Sequence, residues 1–100
     1  MNLSAFKKIT IIADDAMETY LIEEIKALGA RGYTIEEAKG EGLHGVSIKD
    51  FPGRNIKIDT IVSANTAEMI LEMIKDKYLS QFSVIVYMSD VYVIRGERFM

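Results

Sequence analysis

The stretch Phe6-Lys7-Lys8-Ile9-Thr10-Ile11-Ile12-Ala13, followed at once by Asp14-Asp15, decides the fold. Its β-branched run suits a strand, and the acidic pair suits the cap of a helix that starts without a linker. Asp15 with Glu18 three residues later fits a capping box in which Asp replaces the usual Ser or Thr. Met17, Leu21, Ile25 and Leu28 then form one stripe at helical spacing. Gly29 stands where such a helix ends, in the position after the last turn that favours positive φ.

The plan then repeats. A second strand is expected from Tyr33 to about Lys39. Gly40 to Gly53 interrupts it with glycines and the only proline, which predicts a loop over about 42–54. Asn55 to Val62 alternates as a third strand, and Asn65 with Glu68 opens a second helix whose stripe is Ala67, Ile70, Leu71, Ile74 and Tyr78. Ser83 to about Met88 is a nearly all-apolar fourth strand. After Ser89-Asp90, the run Val91 to Ile94 reads as a short extra C-terminal strand. Two β-α-β halves offset by about fifty residues define an α+β chain of the ferredoxin-like βαββαβ type, with two helices on one face of an antiparallel sheet. Residues 1–100 are expected to form a single domain.

The strands are apolar on both sides. Ile9 and Ile11 share one face of the first strand while Ile12 takes the other, and Val84, Val86 and Met88 oppose Ile85 and Tyr87 on the fourth. A two-layer domain should present a wet, polar outer face. An apolar one exceeds what soluble monomers usually expose and requires a cover. Copies of the same chain are the simplest cover; the tail or the loop folding back within one chain is the alternative.

Composition narrows the function. The chain is 49% hydrophobic with net charge -3, its 12 basic and 15 acidic residues interspersed, so no broad positive field exists for nucleic acid. No cysteine occurs, which removes disulfides and thiolate sites and permits a reducing compartment. Met1 to Phe6 is too short and polar for a signal peptide, and no apolar run reaches the ~20 residues of a membrane span. The expectation is a cytoplasmic protein without membrane insertion.

Catalysis finds little material. The single histidine, His44, lies among loop glycines with no fixed partner in sequence view. Glu23-Glu24 and Glu36-Glu37 are adjacent pairs, whose members point to different faces of a helix or strand. Asp14 and Asp15 are accounted for by helix capping, and Gly40-Glu-Gly42 is neither a P-loop nor a dinucleotide fingerprint. We expect no enzyme and no metal site.

The run Gly29-Ala-Arg-Gly-Tyr-Thr-Ile-Glu-Glu-Ala-Lys-Gly-Glu-Gly42, with Lys7-Lys8-Ile9 before it and Asn55 to Val62 after it, closely resembles the nitrogen regulatory PII superfamily. The resemblance covers almost the whole chain. It implies a homotrimer whose sheets face the centre, adenine nucleotides in the clefts between subunits, and a T-loop that contacts partner proteins. Carried over residue by residue, it places Ile12, Thr34, Gly40, Gly42 and Ile61 near the nucleotide and makes Arg95 and Arg98 the phosphate contacts. Leu43, His44, Val46, Ile48 and Phe51 would form the partner-binding loop, its apolar members suiting a surface that orders on contact.

The departures matter as much. Lys75 to Ser89 contains no Gly-Lys phosphate loop, so the cradle of oriented backbone N–H groups that would hold a triphosphate is missing. The loop also lacks the glutamine and the tyrosine with which PII proteins bind 2-oxoglutarate and are modified. This segment and the ending Ser89 to Phe99 look like the PII-like branch associated with bicarbonate transporters and carboxysomes. That likeness implies AMP, ADP or cyclic AMP as ligand, bicarbonate as a second one, and backbone around Tyr87, Met88 and Ser89 along the adenine. The chain ends at Met100 without the two-cysteine loop of some members, which implies neither redox control nor nucleotide hydrolysis. The partner would be a membrane transporter or an enzyme. The alternatives are a PII-shaped interaction protein that binds no ligand and a trimer that binds divalent cations.

Overall fold

The structure, a computed structural model, describes residues 1–40 and 54–100. Strand β1 (Ser4–Asp14) leads through a 3-10 turn (Asp15–Met17) into helix α1 (Glu18–Ala27). Strands β2 (Thr34–Ala38) and β3 (Asn55–Val62) follow, then helix α2 (Ala64–Lys77), strand β4 (Ile85–Val93) and a 3-10 turn (Gly96–Phe99). The sheet order is β2-β3-β1-β4, and every neighbouring pair is antiparallel. This is the expected ferredoxin-like arrangement.

Register explains the core. Ile9 and Ile11 of β1 stand beside Thr60 and Ile58 of β3 and beside Met88 and Val86 of β4, all on the helix side of the sheet. Leu21 and Ile25 of α1 and Ile70 and Ile74 of α2 meet them, and these isoleucines, Leu21 and Ile58 are wholly buried. Each such side chain contributes about 1.5–3 kcal/mol by leaving water, so this layer dominates the stability.

Helix ends follow backbone chemistry. At the C-terminus of α1 the N–H of Gly29 donates to Lys26 O at 3.1 Å and that of Ala30 to Ile25 O at 3.0 Å, a Schellman motif with Gly29 at φ 120. The N-terminal caps differ from expectation. Asp14, not Asp15, accepts the N–H of Ala16 at 2.8 Å, because a 3-10 turn intervenes before α1. Ser63, not Asn65, caps α2 by accepting the N–H of Thr66 at 3.3 Å. Either residue type serves as a cap, and the exit of β3 places the serine first.

The short extra C-terminal strand is a correction. Ser89-Asp90 does not break the chain: β4 runs unbroken from Ile85 to Val93 beside β1. Asp90 stands opposite Lys7 and forms an ion pair with it, so a residue that reads as a turn former is held in an edge strand by a cross-strand partner.

The sheet face away from the helices carries Ile12, Ile61, Ile85, Tyr87 and Val91. A polar band crosses it: Glu36 Oε1 lies 3.8 Å from Lys57 Nζ, and Thr10 Oγ1 donates to Asp59 Oδ1 at 2.5 Å. The tail covers one end of this face, where Phe99 packs on Phe6 with ring centroids 5.7 Å apart. On the rest of it Tyr87 is 45% exposed and Ile12, Ile61, Ile85 and Val91 are half-buried.

Candidate functional site

The outer face organises the expected ligand residues in rows. Thr34 of β2, Asp59 of β3, Thr10 of β1 and Tyr87 of β4 are register partners, one rung crossing the whole sheet. On the next rung toward one end, Ile61 and Ser89 flank Lys8; on the next toward the other, Ile12 lies between Lys57 and Ile85. Ile12, Thr34, Ile61, Tyr87 and Ser89 therefore share one face. Met88 does not, since its side chain stands with Ile9 on the helix side.

Sharing a face is not sharing a pocket. Thr34 and Tyr87 stand three strand spacings apart, about 14 Å. A single chain thus carries Thr34 and Tyr87 at opposite edges, with Ile12 and Ile61 on the central strands between them. One half-site is the β2 edge, with Thr34 and the exposed Gly40 beyond it. The other is β4, whose outer backbone N–H and C=O groups have no strand beside them among the described residues.

The C-terminal turn extends the second half-site. Arg95 takes left-handed backbone, φ 63 and ψ 52, and starts the 3-10 turn in which the Arg98 N–H donates to Arg95 O at 3.0 Å. Both arginines are exposed. The turn crosses the sheet end and reaches the β2 side, where Arg31 Nη1 donates to Met100 O at 2.7 Å. Among the described residues Arg31, Arg95 and Arg98 form no side-chain ion pair, and three guanidinium groups against the single carboxylate of Glu97 gather at one turn. Such groups suit anions bound by paired N–H bonds. Arg31 is the residue sequence reasoning missed; the only signal was its place inside Gly29-Ala-Arg-Gly32.

The connection from α2 to β4 is closed by aromatics. Phe82 N–H donates to Tyr78 O at 2.8 Å, and the two rings lie 5.8 Å apart. It contains none of the glycines that would let backbone close around phosphates. Among the described residues no group of three potential ligands could hold a metal ion, and no helix is long and apolar enough to cross a membrane. Gly42, Leu43, His44, Val46, Ile48 and Phe51 lie outside the described residues.

The sequence matches the family model of nitrogen regulatory protein P-II over residues 6–98. The chain belongs to that family, whose members are signalling proteins. Its fold and sequence are similar to those of a PII-like signalling protein of Thermus thermophilus, 43% identical over 100% of both chains with a TM-score of 0.87. CPII of Thiomonas intermedia, a structure bound to ADP and bicarbonate, is 26% identical, with 99% of this chain and 98% of that chain covered and a TM-score of 0.86. The Bacillus subtilis GlnK–ATP complex is more distant: 20% identity, 87% and 82% coverage and a TM-score of 0.65, a likeness of fold alone. No curated protein matches the sequence.

Proposed function

We propose that the chain is a PII-like sensor that works as a homotrimer in the cytoplasm and is not an enzyme. It binds AMP, ADP or cyclic AMP, in preference to ATP with 2-oxoglutarate, in clefts between subunits, with bicarbonate as a second ligand. The T-loop, at about 42–54, reports the bound state to a partner, a bicarbonate or other membrane transporter.

The observation that carries this reading is the division of the site. Thr34 and Gly40 at one sheet edge and Tyr87, Ser89, Arg95 and Arg98 toward the other enclose a ligand only if the β2 edge of one copy meets the β4 edge of the next. Covering the outer face with Ile12, Ile61 and Ile85 supplies the driving force for that assembly. A ligand in such a seam touches two subunits and can favour one loop state, which regulation requires. The Tyr78–Phe82 corner, which has no glycine, supports short phosphate chains over ATP. The similar CPII structure bound to ADP and bicarbonate supports the ligand class.

Light scattering with calorimetry tests the proposal. The expected result is a particle of three 11.3 kDa chains that binds AMP, ADP or cyclic AMP, with affinities that change when bicarbonate is added. A monomer, or a trimer to which no nucleotide binds, would overturn it.

A further inference from the structure

The turn from Arg95 to Met100 is docked tightly on the sheet. Gly96 is buried against β1, and a Cβ on it would stand 2.5 Å from Ser4 Oγ, 2.7 Å from Ser4 Cβ and 3.1 Å from the Phe6 ring. Only a glycine allows this approach. Phe99 packs on the same Phe6, and Arg31, from the loop before β2, holds Met100 O. Between these anchors Arg95 is kept in left-handed backbone, a conformation that L-residues with a side chain avoid unless their surroundings impose it. Contacts from two parts of the chain, β1 and the loop before β2, thus fix the backbone that carries Arg95 and Arg98.

We infer that this turn is a clamp: Phe6, Arg31 and Gly96 are positioning residues that hold Arg95 and Arg98 where they meet a nucleotide phosphate. The inference rests on the nucleotide reading above and deepens it. Long arginine side chains on free backbone lose much conformational entropy on meeting an anion; on a docked turn part of that cost is met before binding. Charge alone does not suffice, because the guanidinium fork binds phosphate through directed pairs of N–H groups.

Gly96→Ala tests it, with the double variant Ser4→Gly/Gly96→Ala as rescue, since the second change removes both Ser4 atoms that the new methyl would strike. Calorimetry with ADP on the full chain is expected to show about tenfold weaker binding for Gly96→Ala and affinity within about threefold of wild type for the double variant, the single change corresponding to about one factor of ten in the equilibrium constant. Trypsin should cut after Arg95 and Arg98 faster in Gly96→Ala and at the wild-type rate in the rescue. Phe99→Ala, which adds no bulk, should weaken ADP in the same direction without altering the oligomer mass. Wild-type affinity in both Gly96→Ala and Phe99→Ala removes the clamp while leaving the nucleotide reading intact. A wild type that binds no adenine nucleotide removes both.

Discussion

Thr10 and Asp59 face each other across β1 and β3, and the Thr10 hydroxyl donates to the Asp59 carboxylate at 2.5 Å. Thr10 is wholly buried although it lies on the face away from the helices. The hydroxyl therefore has no access to water and depends on this one partner. Asp59→Ala should destabilise the protein by about 1–3 kcal/mol, the cost of leaving a buried polar group unsatisfied. Thr10→Val added to it should cost less than the two single changes summed. Urea denaturation of the four proteins measures both.

The same pair marks how far the sequence could be read. Element order and core were legible because Ile9, Ile11, Leu21, Ile25, Ile70 and Ile74 keep the periods of strand and helix. Local polar signals were less decisive. Asp90 reads as a turn but is held in β4 by Lys7, and Ser63 caps α2 two residues before the Asn65 that the pattern favours. The first outcome depends on a neighbour distant in sequence, the second on where β3 ends. The resemblance placed the candidate residues between subunits, but the separation of Thr34 from Tyr87 follows from strand order across the sheet, which residue spacing does not show. Arg31 escaped notice because its partner is a backbone carbonyl at the far end of the chain, which leaves no trace in spacing.

Gly29→Ala should be costly for backbone reasons alone. Its φ of 120 is one that a Cβ opposes, and that Cβ would lie 3.3 Å from Thr66 Oγ1 at the start of α2. The expected loss is about 1 kcal/mol or more, since substitution at an incompatible backbone exceeds the entropy gained in the unfolded chain. Thermal melting at fixed concentration reads it.

Alkaline pH should weaken the fold through α2. Burial raises the Tyr78 phenol above its ordinary value, with the Glu24 carboxylate adding to the shift. Lys77 is raised by its hydrogen bond to Glu24 and by that charge. In both cases the folded state holds its proton more firmly than the unfolded state. The contribution is complete below the unfolded values of about 10 and is lost as pH rises through the folded ones. Stability measured by denaturant should fall from about pH 9.5 upward, and Tyr78→Phe should flatten that fall with little change near neutrality.

Arg95→Ala should weaken ADP by about tenfold or more, the scale of a hydrogen bond to a charged group, while Lys77→Ala, on the opposite layer, should leave it unchanged. Equal loss in both variants would point to a general charge effect in place of a contact. Calorimetry at two salt concentrations separates the cases, because a long-range effect fades with screening.

The most direct test of the shared site is complementation between subunits. Thr34→Glu damages the β2 half-site and Arg95→Ala the β4 half-site, so either protein alone should bind ADP poorly. Coexpressed and purified as mixed trimers, they contain seams in which an intact β2 edge from one subunit meets an intact β4 edge from another. ADP titration of the mixture should recover wild-type affinity at roughly one site per mixed trimer. A mixture that binds no better than its parents would contradict a nucleotide site built from two chains.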